Sequence, residues 1–436
     1  MMNIKTYDFK PRIVEGLQIK FLKEDERGKF YVIGKAHGST LLKVHEVGKE
    51  IIEMLDGTKS LADIEEILKQ KKIEVDLEEF ILLLGENGFL ENYEVERKKF
   101  EEDKKLRIFY FSLVKNIENF INRVYSVLSP IFRWKLFWLL VSFISIVSSF
   151  FVALVISGYL NPQTFIFFRG SALFAFVVYM LIIAPFLVAL HELAHAITCV
   201  HYGGKPKELG IGFYLFTPFF YIDVSDVWFL EKKHSMMVFL AGPLMNLLIG
   251  SVSFLFSLSP FLPESLRSLM LMVTFWAYMA TLAGFNPVIE GDGYYILQVM
   301  LNFPNLNSNT WSYISMWLKR RMRLISKEKY EDFLTCYSEK ERKILRVYSP
   351  CVLLVNSFLI YIMIVWGFFL LQEYFRITYL IVTSPSEIPA STIFLWVIQS
   401  FYAVLLFIFI PYRLFKRLLA TLKLKSIISI FRNRTA

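Results

Sequence analysis

Six apolar stretches, each long enough to cross a lipid bilayer, follow one another between residues 136 and 411. A helix of about 20 mostly apolar residues spans the hydrocarbon core of a membrane. Hydrophobic residues make up 55% of the whole chain, which exceeds the roughly 45–50% usual for soluble domains. The sequence therefore predicts a multi-span α-helical membrane protein with six transmembrane helices. The predicted spans are 136–157, 171–198, 235–258, 268–288, 351–371 and 393–411.

Lysine and arginine predict the orientation of these spans, because short cytoplasmic loops carry an excess of both residues. The loops 158–170, 259–267 and 372–392 hold a single arginine each, whereas 302–350 and the tail after Pro411 are rich in both residues. This distribution favours a cell-membrane protein with both termini in the cytoplasm. The formal net charge of +9 is then explained by membrane topology, and nucleic acid is not an expected partner.

The stretch ALHELAHAITC, residues 189–199, places ionisable groups near the cytoplasmic end of the second predicted span. In its HExxH pattern, His191 and His195 share one face of a helix and can bind one zinc ion, with Glu192 close enough to act as a general base on a water molecule. The alternative is a pair of buried histidines at a helix end. Ionisable groups inside membrane segments usually have a functional partner, so the zinc site is the favoured hypothesis.

A catalytic zinc ion needs a third protein ligand and an open coordination position. The best candidate is Asp292 in GFNPVIEGDGYYIL, residues 284–297, where proline and glycine favour irregular backbone that would be tolerated beside a polar cavity. Glu290 is a rival two residues away. Asp223 and Asp226 are further rivals, although loop carboxylates near basic residues are more often solvated charges.

These motifs resemble the site-2 protease family of intramembrane zinc metalloproteases. HELAH, the segment 203–228, AGPLMN at 241–246 and NPVIEGDG at 286–293 carry the resemblance in order and spacing. It implies a core of the second to fourth spans, β-structure in 203–228 beside the cleft, and zinc held by the two histidines and the aspartate named above. It further implies that Asn246 and Asn286 orient substrate or transition state. Gly291 departs from the family, which usually has leucine there.

The N-terminal region predicts a small α+β domain. LQIKFL at 17–22 and KFYVIG at 29–34 favour a hairpin, and TLLKV at 40–44 favours a third strand. Three helical patterns follow, and Ser60 and Asp76 are expected N-caps of the second and third. The order of elements predicts a winged-helix arrangement. The three predicted helices are 45–57, 60–71 and 76–91.

Within this domain, MLDGTKSLADIEEIL and LLLGENGFLE resemble the PqqD-like recognition element of ribosomally made, modified peptides (RiPPs). The resemblance implies that the domain binds the leader of a peptide precursor as an added strand. A structural or a DNA-binding winged helix is the alternative. Acidic residues in the third helix would repel phosphate, which disfavours DNA.

Together these features predict a zinc metalloendopeptidase that matures or exports a RiPP precursor near the cytoplasmic face of a bacterial membrane, with a modifying enzyme or exporter as further partners. Two alternatives remain open. One is a non-catalytic adaptor, export or immunity component for the same peptide, and the other is regulated intramembrane proteolysis of a signalling protein. The predicted divisions are a recognition domain at 1–105, an amphipathic linker at 106–135, the protease core at 136–300, a basic segment at 301–350 and two C-terminal spans with a basic tail at 351–436.

Overall fold

The structure is a computed structural model that describes residues 9–35, 41–73, 75–91, 109–160, 179–214, 217–383 and 397. The chain divides into two compact units, Met1–Asn305 and Leu306–Ala436. The first unit contains the small N-terminal sheet, a second sheet and the helices that carry the predicted site residues. The domain boundaries predicted from the sequence stay predictions.

The first unit begins with an antiparallel sheet in the order β1-β2-β3, formed by Leu17–Asp25, Gly28–Lys35 and Leu41–His45. Gly28 closes the β1–β2 turn at a φ of 110°, which side chains other than glycine rarely adopt. The predicted hairpin and third strand are therefore confirmed.

Three short helices follow this sheet: α1 (Glu46–Met54), α2 (Leu61–Gln70) and α3 (Leu77–Glu86). Ser60 and Asp63 form a reciprocal capping box at the start of α2, and Asp76 caps α3, as the sequence predicts. The apolar sides of the helices and strands share one core that includes the fully buried Ile33 and Ile81. The prediction that this N-terminal sheet and its three helices form a peptide-binding winged-helix domain stays a prediction.

A second antiparallel sheet joins segments that are far apart in the sequence. Strand β4 (Phe109–Lys115) pairs with β5 (Glu208–Tyr214), which pairs with β6 (Thr217–Ile222). The strands β5 and β6 lie within 203–228, where the family resemblance implies β-structure. In contrast, β4 lies in the predicted amphipathic linker and was not expected as a strand.

Long helices make up most of the rest of the first unit. Helix α4 (Glu118–Leu128) and a 3-10 turn (Ser129–Phe132) precede α5 (Trp134–Ile156), and a π-helical turn (Tyr179–Ile183) leads into α6 (Ala184–His201). After β6 and a 3-10 turn (Ser225–Phe229), the chain forms α7 (Lys232–Ser257), α8 (Glu264–Gly284) and α9 (Asp292–Leu301). Helix α7 packs against α6, α8 and α9, and this central position lets it contact both histidines of the HELAH motif.

The second unit contains α10 (Leu306–Arg321), α11 (Lys327–Thr335) and α12 (Glu339–Thr383). The predicted span 351–371 lies inside α12, which begins earlier than expected and continues through Pro350. The predicted span 393–411 lies outside the described residues apart from Val397.

Four described helices are long and apolar enough to cross a membrane: Trp134–Ile156, Lys232–Ser257, Glu264–Gly284 and the first part of α12, Glu339–Ile362. The predicted second span, 171–198, is described only from Tyr179 onward. The structure therefore fits a helical membrane protein, and the count of six spans stays a prediction.

Candidate metal centre

Helix α6 presents the two histidines of HELAH on one face. His191 and His195 are one turn apart, and their Nε2 atoms are separated by 3.1 Å. The second ring is the more buried, with a side chain 7% exposed against 18% for the first. Helical spacing alone thus brings two imidazole nitrogens to one point, as the sequence predicts.

Asp292 completes the cluster from the first residue of α9. Its Oδ2 lies 3.1 Å from Nε2 of His191, and its Oδ1 lies 3.3 Å from Nε2 of His195. Ligand atoms of the three residues all lie within 4.8 Å of one another. Two helices that are distant in sequence therefore converge on one set of nitrogen and oxygen donors.

The loop between α8 and α9 sets the position of this aspartate. The side-chain Oδ1 of Asn286 accepts hydrogen bonds from the backbone N–H groups of Val288 (2.9 Å) and Ile289 (3.3 Å). Immediately after Asp292, a Cβ on Gly293 would lie 2.5 Å from the carbonyl carbon of Phe285. Glycine is therefore required for the start of α9 to lie against the end of α8, which directs the aspartate towards the histidines.

The spacing of the donors fits a tetrahedral metal ion. Zinc bonds of about 2.0–2.1 Å to nitrogen and oxygen place neighbouring ligand atoms about 3.3 Å apart in a tetrahedron. The two histidine nitrogens are 3.1 Å apart, and each lies 3.1–3.3 Å from a carboxylate oxygen of Asp292, Oδ2 for His191 and Oδ1 for His195. The Nδ1 atom of His195 lies 2.7 Å from the carbonyl oxygen of Val238. If Nδ1 donates to that carbonyl, Nε2 is left unprotonated and directed at the cluster, as in many metal-binding histidines.

Gly242 of α7 keeps the centre of the cluster open. A Cβ at this position would lie 2.4 Å from Nε2 of His195 and 2.5 Å from Nε2 of His191. A methyl group would thus enter the space between the two nitrogens, where a metal ion bound by both histidines would lie. Gly242 lies within the AGPLMN motif, and the sequence alone predicts no role for it at the metal.

Glu192 lies next to the cluster on the same helix and is held from the second sheet. Its Oε2 accepts a hydrogen bond of 3.1 Å from the backbone N–H of Ile222, the last residue of β6. A carboxylate fixed in this way beside a metal-binding site can accept a proton from water. The contact with β6 was not predicted, because nothing local in the sequence links 192 to 222.

The two predicted asparagines differ in their surroundings. Asn246 lies one turn after Gly242 on α7 and is 3% exposed. Within the described part of the chain, its Oδ1 has no hydrogen-bond partner. The side-chain oxygen of Asn286 instead accepts hydrogen bonds from backbone N–H groups in the loop before Asp292. The structure therefore shows an unsatisfied buried amide at the first position and a loop-stabilising amide at the second.

The rival carboxylates are placed elsewhere among the described residues. Glu290 is exposed, Asp223 accepts hydrogen bonds from the backbone and hydroxyl of Ser225, and Asp226 pairs with Lys207 at 2.7 Å. The His-His-Asp group contains none of these rivals, which leaves Asp292 as the carboxylate that the geometry favours.

Apolar helices of membrane-spanning length and a His-His-Asp cluster beside a glutamate together define a helical membrane protein with a candidate metalloprotease centre. A comparison with curated proteins agrees with this class. The chain is 24% identical over 233 residues to a protein of Bacillus subtilis (strain 168) named "Putative peptide zinc metalloprotease protein YydH", and the match covers 51% of this chain and 86% of that protein. No family model and no solved structure matches the chain. The distant relative supports a membrane zinc metalloprotease.

Proposed function

We propose that this protein is a site-2-protease-type zinc metalloendopeptidase, in which His191, His195 and Asp292 bind the metal and Glu192 is the general base. The observation that carries this proposal is the convergence of the three side chains at separations suited to tetrahedral zinc, with the glutamate held alongside. Bound zinc supplies Lewis acidity and lowers the pKa of water to about 7.

In this mechanism, each residue at the site has a separate role in hydrolysis. Glu192 takes a proton from the attacking water and returns it to the leaving amine, while the Ile222 N–H keeps one carboxylate oxygen in place. The Val238 carbonyl fixes the orientation of the His195 ring. The buried, unsatisfied side-chain oxygen of Asn246 supports a proposed role in accepting a hydrogen bond from a peptide N–H. The proposed role of Asn286 in orienting substrate would act through the loop that carries Asp292.

The proposed substrate is a ribosomally synthesised, modified peptide precursor in a bacterial cell membrane. The N-terminal sheet has two edge strands, β1 and β3, and an edge strand can pair with an extended peptide. The name of the Bacillus relative, which includes the words peptide zinc metalloprotease, supports a peptide as substrate. A modifying enzyme or an exporter would act on the same precursor, and both termini are proposed to lie in the cytoplasm.

The test is to search the genes beside its own for short open reading frames, synthesise the encoded peptides, and incubate each with the purified, zinc-loaded full chain, with mass spectrometry as the readout. We expect a single new cleavage in the precursor, and none with Glu192→Gln. A precursor that binds and stays intact with the native, zinc-loaded chain would favour the adaptor alternative. Cleavage of a membrane-bound signalling protein, with the precursor uncut, would favour regulated intramembrane proteolysis.

A further inference from the structure

The segment just before the first long apolar helix exposes apolar side chains on two successive elements. On β4, Phe111, Leu113 and Val114 are 50–58% exposed, and on α4, Phe120 and Val127 are 61% and 75% exposed. We refer to residues 109–133 as the juxtamembrane segment. An edge strand with exposed apolar side chains promotes aggregation in water unless something covers it.

Helix α4 is apolar on two sides, and among the residues that the structure describes only one side is packed against the protein. Ile121, Val124, Tyr125 and Leu128 pack on a core that includes Ala196 and Ile197 of α6. Phe120 and Val127 lie seven residues apart, which places them on the same helical face, with the exposed Arg123 between them. A helix with a second, outward apolar face is suited to an environment that is less polar than water.

The residues in and beside this segment are of the types that favour the membrane–water interface. The segment is followed directly by the apolar helix α5, whose first five residues include the exposed Trp134 and Trp138, and tryptophan is enriched at the membrane–water interface. Lys115, Arg123, Arg133 and Lys135 outnumber the one acidic residue of 109–135, Glu118. Basic residues beside a span attract the anionic headgroups of the cytoplasmic leaflet.

We propose that the juxtamembrane segment is a lipid-binding surface that lies in the headgroup region of the cytoplasmic leaflet and binds anionic lipid. This inference stands apart from the proposed function, because it needs neither the metal nor peptide cleavage. It also has a consequence for the site. Strand β4 pairs with β5, and β5 pairs with β6, whose last residue holds Glu192. Lipid contact would therefore fix the depth of the second sheet, and with it the depth of the candidate base.

The test uses the full chain in vesicles of phosphatidylcholine with or without phosphatidylglycerol. Cys336 and Cys351 are replaced by serine, and single cysteines are introduced as Leu113→Cys on β4 or Val127→Cys on α4 and labelled with an environment-sensitive fluorophore. The third natural cysteine, Cys199, is fully buried and is expected not to label. We expect lipids carrying a nitroxide at the headgroup to quench both probes more strongly than lipids carrying it deep in the acyl chain.

Two control positions calibrate the measurement. Ile146→Cys, in the middle of α5 and 69% exposed, should be quenched more strongly by the deep nitroxide. Glu66→Cys, exposed on α2, should be quenched by neither. Arg123→Gln together with Lys115→Gln should reduce headgroup quenching only in vesicles that contain phosphatidylglycerol. Probes at 113 or 127 that behave like the Glu66→Cys control, or that crosslink to a second copy of the chain instead, would overturn the proposal.

Discussion

The backbone amide of Ile222 donates a hydrogen bond to the carboxylate of Glu192, so the last residue of a strand holds a side chain of the HELAH helix. One carboxylate oxygen is committed to the sheet, which restricts the rotamers of the glutamate. The position of the candidate base therefore depends on the second sheet as well as on the helix that carries it.

Glu192→Gln should leave the metal bound and remove hydrolysis. Glutamine keeps the size of the side chain and an oxygen for the Ile222 amide, but it cannot accept the proton of water. We expect kcat to fall by about 10²–10⁴, the usual contribution of a positioned general base, with zinc content unchanged by elemental analysis. Full activity in this variant would contradict the proposed role of the glutamate.

Gly242→Ala should expel the metal ion, since its methyl group would occupy the space between the Nε2 atoms of His191 and His195. Gly250→Ala is the matched control, because a Cβ there would press on Tyr278 at 2.6 Å on the same helix but away from the cluster. We expect the first variant to lose zinc while staying folded in thermal unfolding, and the second to lose stability while keeping zinc. Equal zinc content in both would show that Gly242 does not border the metal.

Asp292→Asn should weaken zinc binding and hydrolysis together, because an amide oxygen is a poorer zinc ligand than a carboxylate. Glu290→Gln should change neither, since that side chain is exposed and lies outside the His-His-Asp group. The measurement is competition for zinc with a chelator of known affinity. The opposite ranking of the two variants would make Glu290 the third ligand.

Asp25 should stabilise the β1–β2 hairpin at neutral pH and cease to do so in acid. The hydrogen bond from the Arg27 side chain holds the pKa of this carboxyl well below its usual range, and Lys23 adds to the effect although burial opposes it. A pKa lowered by folding stabilises the folded state above the unfolded pKa of about 3.9, and this stabilisation disappears as the pH falls through the folded value.

With Asp25→Asn, amide hydrogens of the hairpin should exchange roughly 10- to 150-fold faster at neutral pH, since a hydrogen bond to a charged group contributes ~1.5–3 kcal/mol. The difference from the native chain at the same pH should shrink below about pH 4. The exposed Glu66→Gln is the control. A difference that stayed constant down to the lowest pH would mean that the Asp25 charge does not stabilise the hairpin.

Deletion of residues 15–95 should leave the metal site loaded and impair only the capture of substrate. The proposed ligands all follow Ala189, whereas a bound leader raises the local concentration of the scissile segment. We therefore expect a higher KM for the full precursor with kcat nearly unchanged. Titration calorimetry of the native chain and the deletion variant with the leader peptide should show binding to the native chain only, and equal cleavage kinetics would contradict the recognition role.

The parts of the site that sequence predicts are those set by local spacing. HELAH places two histidines on one helical face because the helix repeat brings residues i and i+4 together. The glycines around Asp292 indicate an irregular loop in an otherwise apolar region. The convergence of these two segments was inferred from chemistry and family resemblance, because the helices that bring them together lie between them in the chain.

The remaining features depend on contacts that periodicity does not report. Strand β4 pairs with β5, almost a hundred residues later, whereas the sequence predicts an amphipathic linker over 106–135. The sequence predicts a basic segment up to residue 350 and a span from 351, yet α12 begins at Glu339 and continues through Pro350. A helix can lose one backbone hydrogen bond at a proline when the flanking turns continue. The sequence does not predict that Gly242 borders the metal site. The close approach of its backbone to the two histidine rings leaves no signal in a single sequence other than the glycine itself.

The position of Asp292 in the sequence determines when the candidate metal site can be completed during synthesis of the chain. Both histidines leave the ribosome early, whereas the aspartate emerges only after α7 and α8 have been synthesised. Since domains form progressively during synthesis, the nascent chain passes through a stage with two of the three ligands and none of the loop that orients the third. If the chain is the protease proposed above, its metal site would be incomplete until α9 packs against α7.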